Sequence, residues 1–557
     1  MPENILVAVA WPYANGPLHL GHIAGAYLPA DIFARYHRLK GNRVLMVSGS
    51  DEHGTPITLR AEQEGVSPAE VASRYHGEFL ESWQKLGISF DLFTTTDTAN
   101  HAEVTHDIFL RLLGKGYIYK GSMPQAYCPK CKRSLPDRYV EGTCPNCNYN
   151  AARGDQCDNC GRTLNPSDLV DVRCRTCSST PIFENSEHYF LKLSAFEEQL
   201  RKWVEDKTFW RQNVQKFTLG FLEGGLKDRA ITRDIEWGVS VPQPGFEKKR
   251  IYVWFEAVIG YLSASKEWAR LQGRDDDWRQ FWTGESKSYY FIGKDNIPFH
   301  TIIWPAMLMG YGGLNLPYDV PANEFLTVEG KKLSTSRNWA VWLPDYLQRY
   351  DPDPLRYYLS ISMPETGDMD FSWHEFLRKN NDELVATYGN LVNRVLSFTN
   401  RNFDAAVPDP GELDDVSKNL LEKARKTLVE VDRQLYRCHF KEALKAAMAL
   451  AQDANRYLDD TAPWKMLKQD RQAAGRSVYT AIGAISALKT MLYPFLPFTS
   501  QRLHNFLGFE GDVRDAGWEL RLPPAGRRLP QPQALFVKLE DKIVAEEMAR
   551  LGSVAQA

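Results

Sequence analysis

The chain opens with Ile5-Leu6-Val7-Ala8-Val9-Ala10, a short apolar run. Runs of this length rich in β-branched residues read as strands buried on both faces. The loop Trp11–Pro17 follows, and Leu18-His19-Leu20-Gly21-His22 leads into a helical segment reaching about Lys40. A second apolar run, Val44–Val47, ends at Ser48-Gly49-Ser50-Asp51-Glu52-His53-Gly54. Strand, loop, helix, strand is a βαβ unit, and open α/β sheets bind ligands beyond the C-terminal ends of their strands. Strand-like text returns at Ile251–Phe255 and at Tyr289–Gly293, the latter ending in Lys294-Asp295-Asn296. A cysteine-bearing segment from about Tyr119 to Ala230 interrupts the alternation. Beyond residue 380 the pattern turns helical. Leu384, Tyr388, Leu391, Val395 and Phe398 form one apolar stripe, and further helical stretches run through Leu420–Leu450 and Val478–Leu492. Pro494, Pro497 and the Pro- and Arg-rich stretch Leu522–Pro532 mark the end of this bundle, and Val537–Leu551 reads as a short helical tail.

The pattern predicts an α/β fold: a Rossmann-like parallel-sheet domain split by an insertion and followed by an all-α helix bundle. The expected boundaries are 1–118 and 231–325 for the two halves of the sheet domain and 119–230 for the insertion. A connecting segment at 326–385, the bundle at 386–535 and a tail at 536–557 complete the chain.

Charge and composition narrow the function. Lys and Arg number 67 against 70 Asp and Glu, a net charge of −3. No chain-wide positive field is available for nucleic acid, so any such contact must use local patches. The N-terminus lacks the basic stretch of a secretory signal. The longest apolar candidate, Thr301–Met309, is too short to span a bilayer. A cytoplasmic protein with no membrane contact is expected.

Eight of the nine cysteines lie between Cys128 and Cys177. They form four CxxC pairs: Cys128/Cys131, Cys144/Cys147, Cys157/Cys160 and Cys174/Cys177. A CxxC turn aims two thiolates at one ion, and a tetrahedral zinc needs four ligands. One or two structural Zn2+ ions are therefore expected, in preference to disulfides, which a large chain without a signal peptide rarely uses. Nested and sequential pairings both satisfy the count. Cys438 stands alone in a helical stretch and reads as a small buried hydrophobe.

Two further segments carry candidate chemistry. His19 and His22 flank Leu20-Gly21 after a buried strand; glycine permits close approach of a ligand to the backbone, and a helix N-terminus favours anions. Far downstream, Gly330-Lys331-Lys332-Leu333-Ser334-Thr335-Ser336-Arg337 is a small cationic loop suited to clamping polyphosphate. Each alone reads equally well as an ordinary turn.

Together, and in this order around a zinc insertion, these segments resemble the class I aminoacyl-tRNA synthetases, and among them the methionyl-tRNA synthetase family, over nearly the whole chain. Pro17–His22 is similar to the family's HIGH motif and Lys332–Ser336 to its KMSKS motif. Ala10–Gly16, Asp51–Ile57, Phe291–Asp295 and Trp304–Leu308 are further family-like stretches. Thr335 departs from the pattern, standing where a second lysine is usual, and it can offer phosphate a hydroxyl but no charge.

The resemblance implies a methionine–tRNA ligase with partners ATP, L-methionine and methionine tRNA, and Mg2+ accompanying ATP. Methionine is activated to methionyl-adenylate with release of pyrophosphate. The methionyl group then passes to the 3′ end of elongator and initiator methionine tRNA. His19, Gly21, His22, Asp295, Lys332, Ser334 and Thr335 are implied at the ATP and catalytic site. Ala10, Trp11, Tyr13, Asp51, Trp254, Ala257, Tyr261 and His300 are implied for methionine, and Asn390, Arg394 and Trp464 for the anticodon. Single-zinc relatives share the spacing of Cys144/Cys147 with Cys157/Cys160, which favours the nested pairing. A monomer is expected. The competing readings are a zinc-ribbon RNA-binding protein without catalysis and a class I synthetase for another amino acid.

Overall fold

The computed structural model describes residues 2–157, 159, 160, 162 and 164–553, so the last four residues of the tail at 536–557 lie outside it. Strand β1 (Asn4–Val9) is the centre of a sheet. The chain then runs through a π turn at Ile23–Tyr27 into helix α1 (Leu28–Leu39) and returns as β2 (Arg43–Ser50) and β3 (Leu92–Thr95). Helix α2 (Ala99–Gly114) precedes the insertion. The insertion is framed by an antiparallel pair, β4 (Ile118–Cys128) and β5 (Ile182–Leu191). After it, β6 (Lys287–Gly293) and β7 (Ala322–Asn323) complete a parallel sheet of order β7-β6-β1-β2-β3.

Alternation in β1 shows why its residues are uniformly apolar. Ile5, Val7 and Val9 join the core shared with the helical bundle, while Leu6 and Ala8 join the core beneath the insertion side. Both faces are covered, as parallel sheets require.

One expected strand is not formed. Ile251 pairs in a two-residue strand, but the chain turns at Tyr252 and Val253–Glu256 is helical (α3). A short apolar run with aromatic and β-branched residues fits a buried helical turn as well as a strand. Here Val253, Phe255 and Glu256 are buried while Trp254 is left partly open.

The C-terminal half is helical. A π-helical stretch, Lys379–Gly389, continues into α4 (Asn390–Asn402), and the predicted stripe buries Leu384, Tyr388, Leu391 and Val395. The helical stretch through Leu420–Leu450 is built of two helices, α5 (Asp415–Tyr436) and α6 (Phe440–Thr461). They break at Cys438, which is buried as expected but has φ +57° and closes the inter-helix turn rather than lying in a helix. Helix α7 (Arg471–Leu492) packs on both. Pro494 does not end the bundle: Pro497 opens a further helix, α8 (Pro497–Phe506), as proline at a first helical position allows.

Buried and tail contacts tie the parts of the chain together. Asp31 of α1 and Arg356 are both fully buried and 2.6 Å apart; the guanidinium also donates to the carbonyls of Pro494 and Phe495. The tail helix α9 (Lys542–Arg550) folds back, with Glu547 accepting from Arg349 at 2.9 Å and Gly552 N–H donating to the Asn338 carbonyl. Among the described residues no helix is long and apolar enough to cross a membrane.

Candidate active site

A cleft of about 530 Å³ opens at the C-terminal ends of β1, β2 and β6. Its wall includes thirteen of the expected residues: Ala10, Trp11, Tyr13, His19, Gly21, His22, Asp51, Trp254, Ala257, Tyr261, Asp295, His300 and Lys332. Ser334 and Thr335 are not in that wall. Ser334 exchanges backbone hydrogen bonds with Trp339, and exposed Thr335 begins a one-turn 3-10 helix, Thr335–Arg337.

The histidine segment and the cationic loop are in direct contact. A Cβ on Gly21 would lie 2.6 Å from Leu333 Cδ1 and 3.0 Å from the His19 ring, so the glycine lets the loop pack closely on this segment. Leu20 N–H donates to the Val341 carbonyl and Leu343 N–H to that of Leu18, which stitches the two segments together. His19 and His22 stack with ring centroids 3.8 Å apart. Burial lowers His19 to about 4 and His22 well below its usual range, so both are neutral at physiological pH. His19 N–H donates to His22 Nδ1, leaving His22 Nε2–H as a donor, and His19 Nδ1 is buried without a partner among the described residues. Neutral imidazoles that can donate N–H groups suit phosphate oxygens.

The apolar end of the cleft is aromatic. Trp254 stacks on Phe299 at 4.0 Å and meets Tyr13 edge-on at 6.2 Å. Trp11 stands edge-on to Tyr261 at 6.5 Å. It is wedged between two glycines: a Cβ on Gly260 would meet the indole at 2.6 Å, and one on Gly49 at 2.1 Å. His300 Nδ1–H donates to the Asn296 carbonyl, so Nε2 accepts from Tyr261 Oη at 2.7 Å. Burial lowers His300 to about 4, keeping this tautomer neutral. Tyr27 and Phe299 come from two π turns, Ile23–Tyr27 and Phe299–Ile303, a device that recurs at functional sites.

Asp51 lies at the end of β2. Its N–H donates to the Pro12 carbonyl and its carbonyl accepts from Ala14 N–H, which pins the aromatic loop to the strand. Burial, then the nearby Glu256 carboxylate, push the Asp51 carboxyl well above its usual range. A cation entering the cleft would relieve that cost. Burial also raises Asp295, at the end of β6.

Sequence reasoning missed Arg138 and Gln156, which reach the cleft from the insertion. No local signal marks them, because only the fold of the knuckles brings them there. Phe299 could have been found, since it adjoins His300 on the same turn.

The cysteines form two groups, Cys128/Cys131/Cys174/Cys177 and Cys144/Cys147/Cys157/Cys160, the Sγ atoms in each lying within 4.8 Å of one another. The pairing is nested. The Cys131 and Asn146 N–H groups donate to Cys128 and Cys144 sulfurs, the contacts that support thiolates. Both groups are compatible with structural zinc, and no cysteine is disulfide-bonded.

On the bundle, Asn390 and Arg394 are one turn apart on α4. The Arg394 guanidinium stands 4.7 Å from the Trp464 ring, which is 37% exposed, and donates to Asp459 at 2.9 Å. Residues 421–445 hold seven Lys and Arg, a local cationic stretch, but Lys423, Arg425, Lys426, Arg433 and Lys445 all form surface ion pairs.

A five-stranded parallel sheet with a histidine-flanked glycine packed under a cationic loop defines a class I tRNA synthetase. Residues 5–396 match the family model for tRNA synthetases class I (M), and residues 407–556 that for the anticodon binding domain of methionyl tRNA ligase. The methionine–tRNA ligase of Dehalococcoides mccartyi is 63% identical over 552 residues, covering 99% of this chain and all of the relative. That of Thermomicrobium roseum is 54% identical, covering 99% of both chains. The Mycobacterium tuberculosis methionyl-tRNA synthetase in complex with methionyl-adenylate superposes with a TM-score of 0.79 at 27% identity, covering 96% of this chain and 99% of that one. The chain belongs to the methionine–tRNA ligase family of class I tRNA synthetases.

Proposed function

We propose that the cleft activates L-methionine with ATP and hands the methionyl group to methionine tRNA, each residue acting as follows. The observation that carries this reading is the convergence of a neutral histidine pair, a cationic loop, a buried carboxylate and an aromatic chamber on one cleft. The chemistry needs the methionine carboxylate aligned with the α-phosphorus of ATP and charge stabilised on departing pyrophosphate. His19 and His22 donate to ATP phosphates at Gly21, where the backbone is bare. Lys332 brings a full charge to the pyrophosphate, and Ser334 and Thr335 add hydroxyls as the loop closes. Asp295 accepts from the ribose hydroxyls. Asp51 holds the methionine ammonium, and Ala10, Trp11, Tyr13, Trp254, Ala257, Tyr261 and His300 enclose the side chain, with thioether sulfur near ring edges. No side chain need form a covalent bond, because the substrate carboxylate is the nucleophile. Trp464 stacks on an anticodon base while Asn390 and Arg394 read its edge.

The two four-cysteine groups would each hold a Zn2+ that fixes the insertion, and a Mg2+ would travel with the ATP phosphates. The division at 118, 230, 325, 385 and 535, a monomer and a cytoplasmic location complete this reading. ATP–pyrophosphate exchange assayed with each amino acid in turn tests it: methionine alone should support exchange. The double variant Asn390→Ala/Trp464→Ala should lose tRNA charging and keep exchange. Exchange with another amino acid instead, or equal loss of both activities, overturns the respective assignment.

A further inference from the structure

Behind the aromatic chamber lies a buried polar network that none of the roles above uses. His53, 5% exposed, directs Nδ1 at Glu256 Oε1 (2.9 Å) and Nε2 at Asp97 Oδ1 (3.6 Å). Glu256 is fully buried at the end of α3, directly before Ala257, and its second oxygen faces His101 Nε2 at 3.3 Å. His101 is tied in turn to Ser263 Oγ at 2.9 Å. The His53 backbone N–H also faces Asp51 Oδ1 at 3.4 Å, so His53 links the Asp51 segment to α3, which carries Trp254 and leads directly into Ala257. Trp237 covers the imidazole edge-on at 5.5 Å and donates to the Glu52 carbonyl.

An imidazole hydrogen-bonded to one carboxylate at Nδ1 and within ion-pair distance of a second at Nε2 favours the imidazolium, because a neutral ring has only one N–H to give. The buried carboxylates need it. Asp51 and Glu256 repel one another across the wall of the cleft, and an uncompensated buried charge is costly. We propose that His53 is a positioning residue for amino-acid binding: held beside Glu256 and Asp97, its positive charge offsets Glu256 and so eases ionisation of Asp51 when the substrate ammonium arrives. This rests on the assignment of Asp51 to that ammonium. The charges facing His53 agree with it. Although burial disfavours the cation, Glu256, Asp97 and Asp51 outweigh that cost and raise His53 to about 10; Glu52 adds to the same field. Burial disfavours the Glu256 anion, and His53 with His101 more than offsets this, holding it down at about 2.

The sign of the effect is fixed by these contacts. Glu256 raises Asp51, and His53 lowers it. His53→Asn keeps a donor near the Nδ1 position but removes the charge. Asp51 then faces Glu256 alone and takes up a proton at higher pH. The acid limb of kcat/KM for methionine, in ATP–pyrophosphate exchange, should move up by about one pH unit or more, while KM for ATP is unchanged. Adding Glu256→Gln removes the opposing charge, so the double variant should return the limb toward its original position. A purely structural role gives the opposite result, because a second buried substitution would worsen the first. The proposal is overturned if His53→Asn leaves the limb unmoved, or if the double variant moves it further. Asp51→Asn separates the two layers of the argument. If it leaves methionine KM unaltered, the Asp51 assignment itself is wrong; if it raises KM while His53→Asn does nothing, only the His53 proposal fails. Should His53→Asn not fold, the double variant, an amide pair in place of an ion pair, carries the test against the single Glu256→Gln protein. Restoring the histidine should then lower the limb by a similar step, and an equal limb in the two proteins would refute the role.

Discussion

Gly260→Ala tests whether the aromatic chamber is sized by its backbone. The new Cβ would lie 2.6 Å from the Trp11 Cε2 and Cζ2 atoms, about 1 Å inside ordinary contact. The indole has no retreat, because its other side is already pressed against Gly49. It must therefore turn into the cleft and take up space equivalent to about one methyl group. Overpacking of this size costs about 1–3 kcal/mol in stability. A pocket that misfits its ligand by one methylene loses about 10- to 200-fold in discrimination. The expected outcome is a methionine KM raised by at least about tenfold in pyrophosphate exchange. The ATP KM serves as an internal control and should be unchanged, since His19 and His22 lie on a different wall. Thermal unfolding checks that the protein remains folded. A folded variant with a methionine KM within about twofold of the parent would refute the reasoning, because it would mean that Trp11 yields elsewhere.

Two other outcomes follow from the same geometry. Chelation of metal, or Cys144→Ser, should unfold the knuckles and deprive the cleft of Arg138 and Gln156; exchange activity should fall together with loss of protein-bound zinc measured by colorimetric titration, whereas full activity in metal-free protein would contradict it. Asp31 is buried, which alone would raise it, but Arg35 and Arg356 hold it near 2. Its carboxylate thus contributes about 2 kcal/mol above pH 4, lost as pH falls from about 4 through 2, so Asp31→Asn should lower the unfolding midpoint at pH 7 and flatten its acid dependence.

Much of this was legible along the chain, for identifiable reasons. Doubly covered strands admit only apolar residues, so β1 and β2 stand out as uninterrupted runs. CxxC spacing exposes thiolate pairs, though spacing alone could not decide which pairs meet. The segment Ile251–Phe255 was misread because a four-residue helix is too short to display its period. The roles of Arg138 and Gln156 were hidden because the insertion folds over the cleft in space, not in sequence. Of the seven Lys and Arg at 421–445, Arg425, Lys426, Arg433 and Lys445 pair with acidic neighbours one turn away, so a charge count along the chain overstates the free positive surface. The buried His53–Glu256 contact joins positions 203 residues apart, a separation no motif spans.

The nested arrangement of the cysteines sets an order of assembly. The inner four thiols span Cys144 to Cys160, while the outer four must bring Cys128 to Cys177, a loop about three times as long. Closing the longer loop costs about 1 kcal/mol more in chain entropy, and the inner group lies wholly within it. Once the inner group has closed, much of that intervening chain is already compact, so the outer closure is made cheaper by the inner one. The insertion is in this sense hierarchical. The outer group, at the ends of the β4–β5 ribbon, gains from the closure of the inner one.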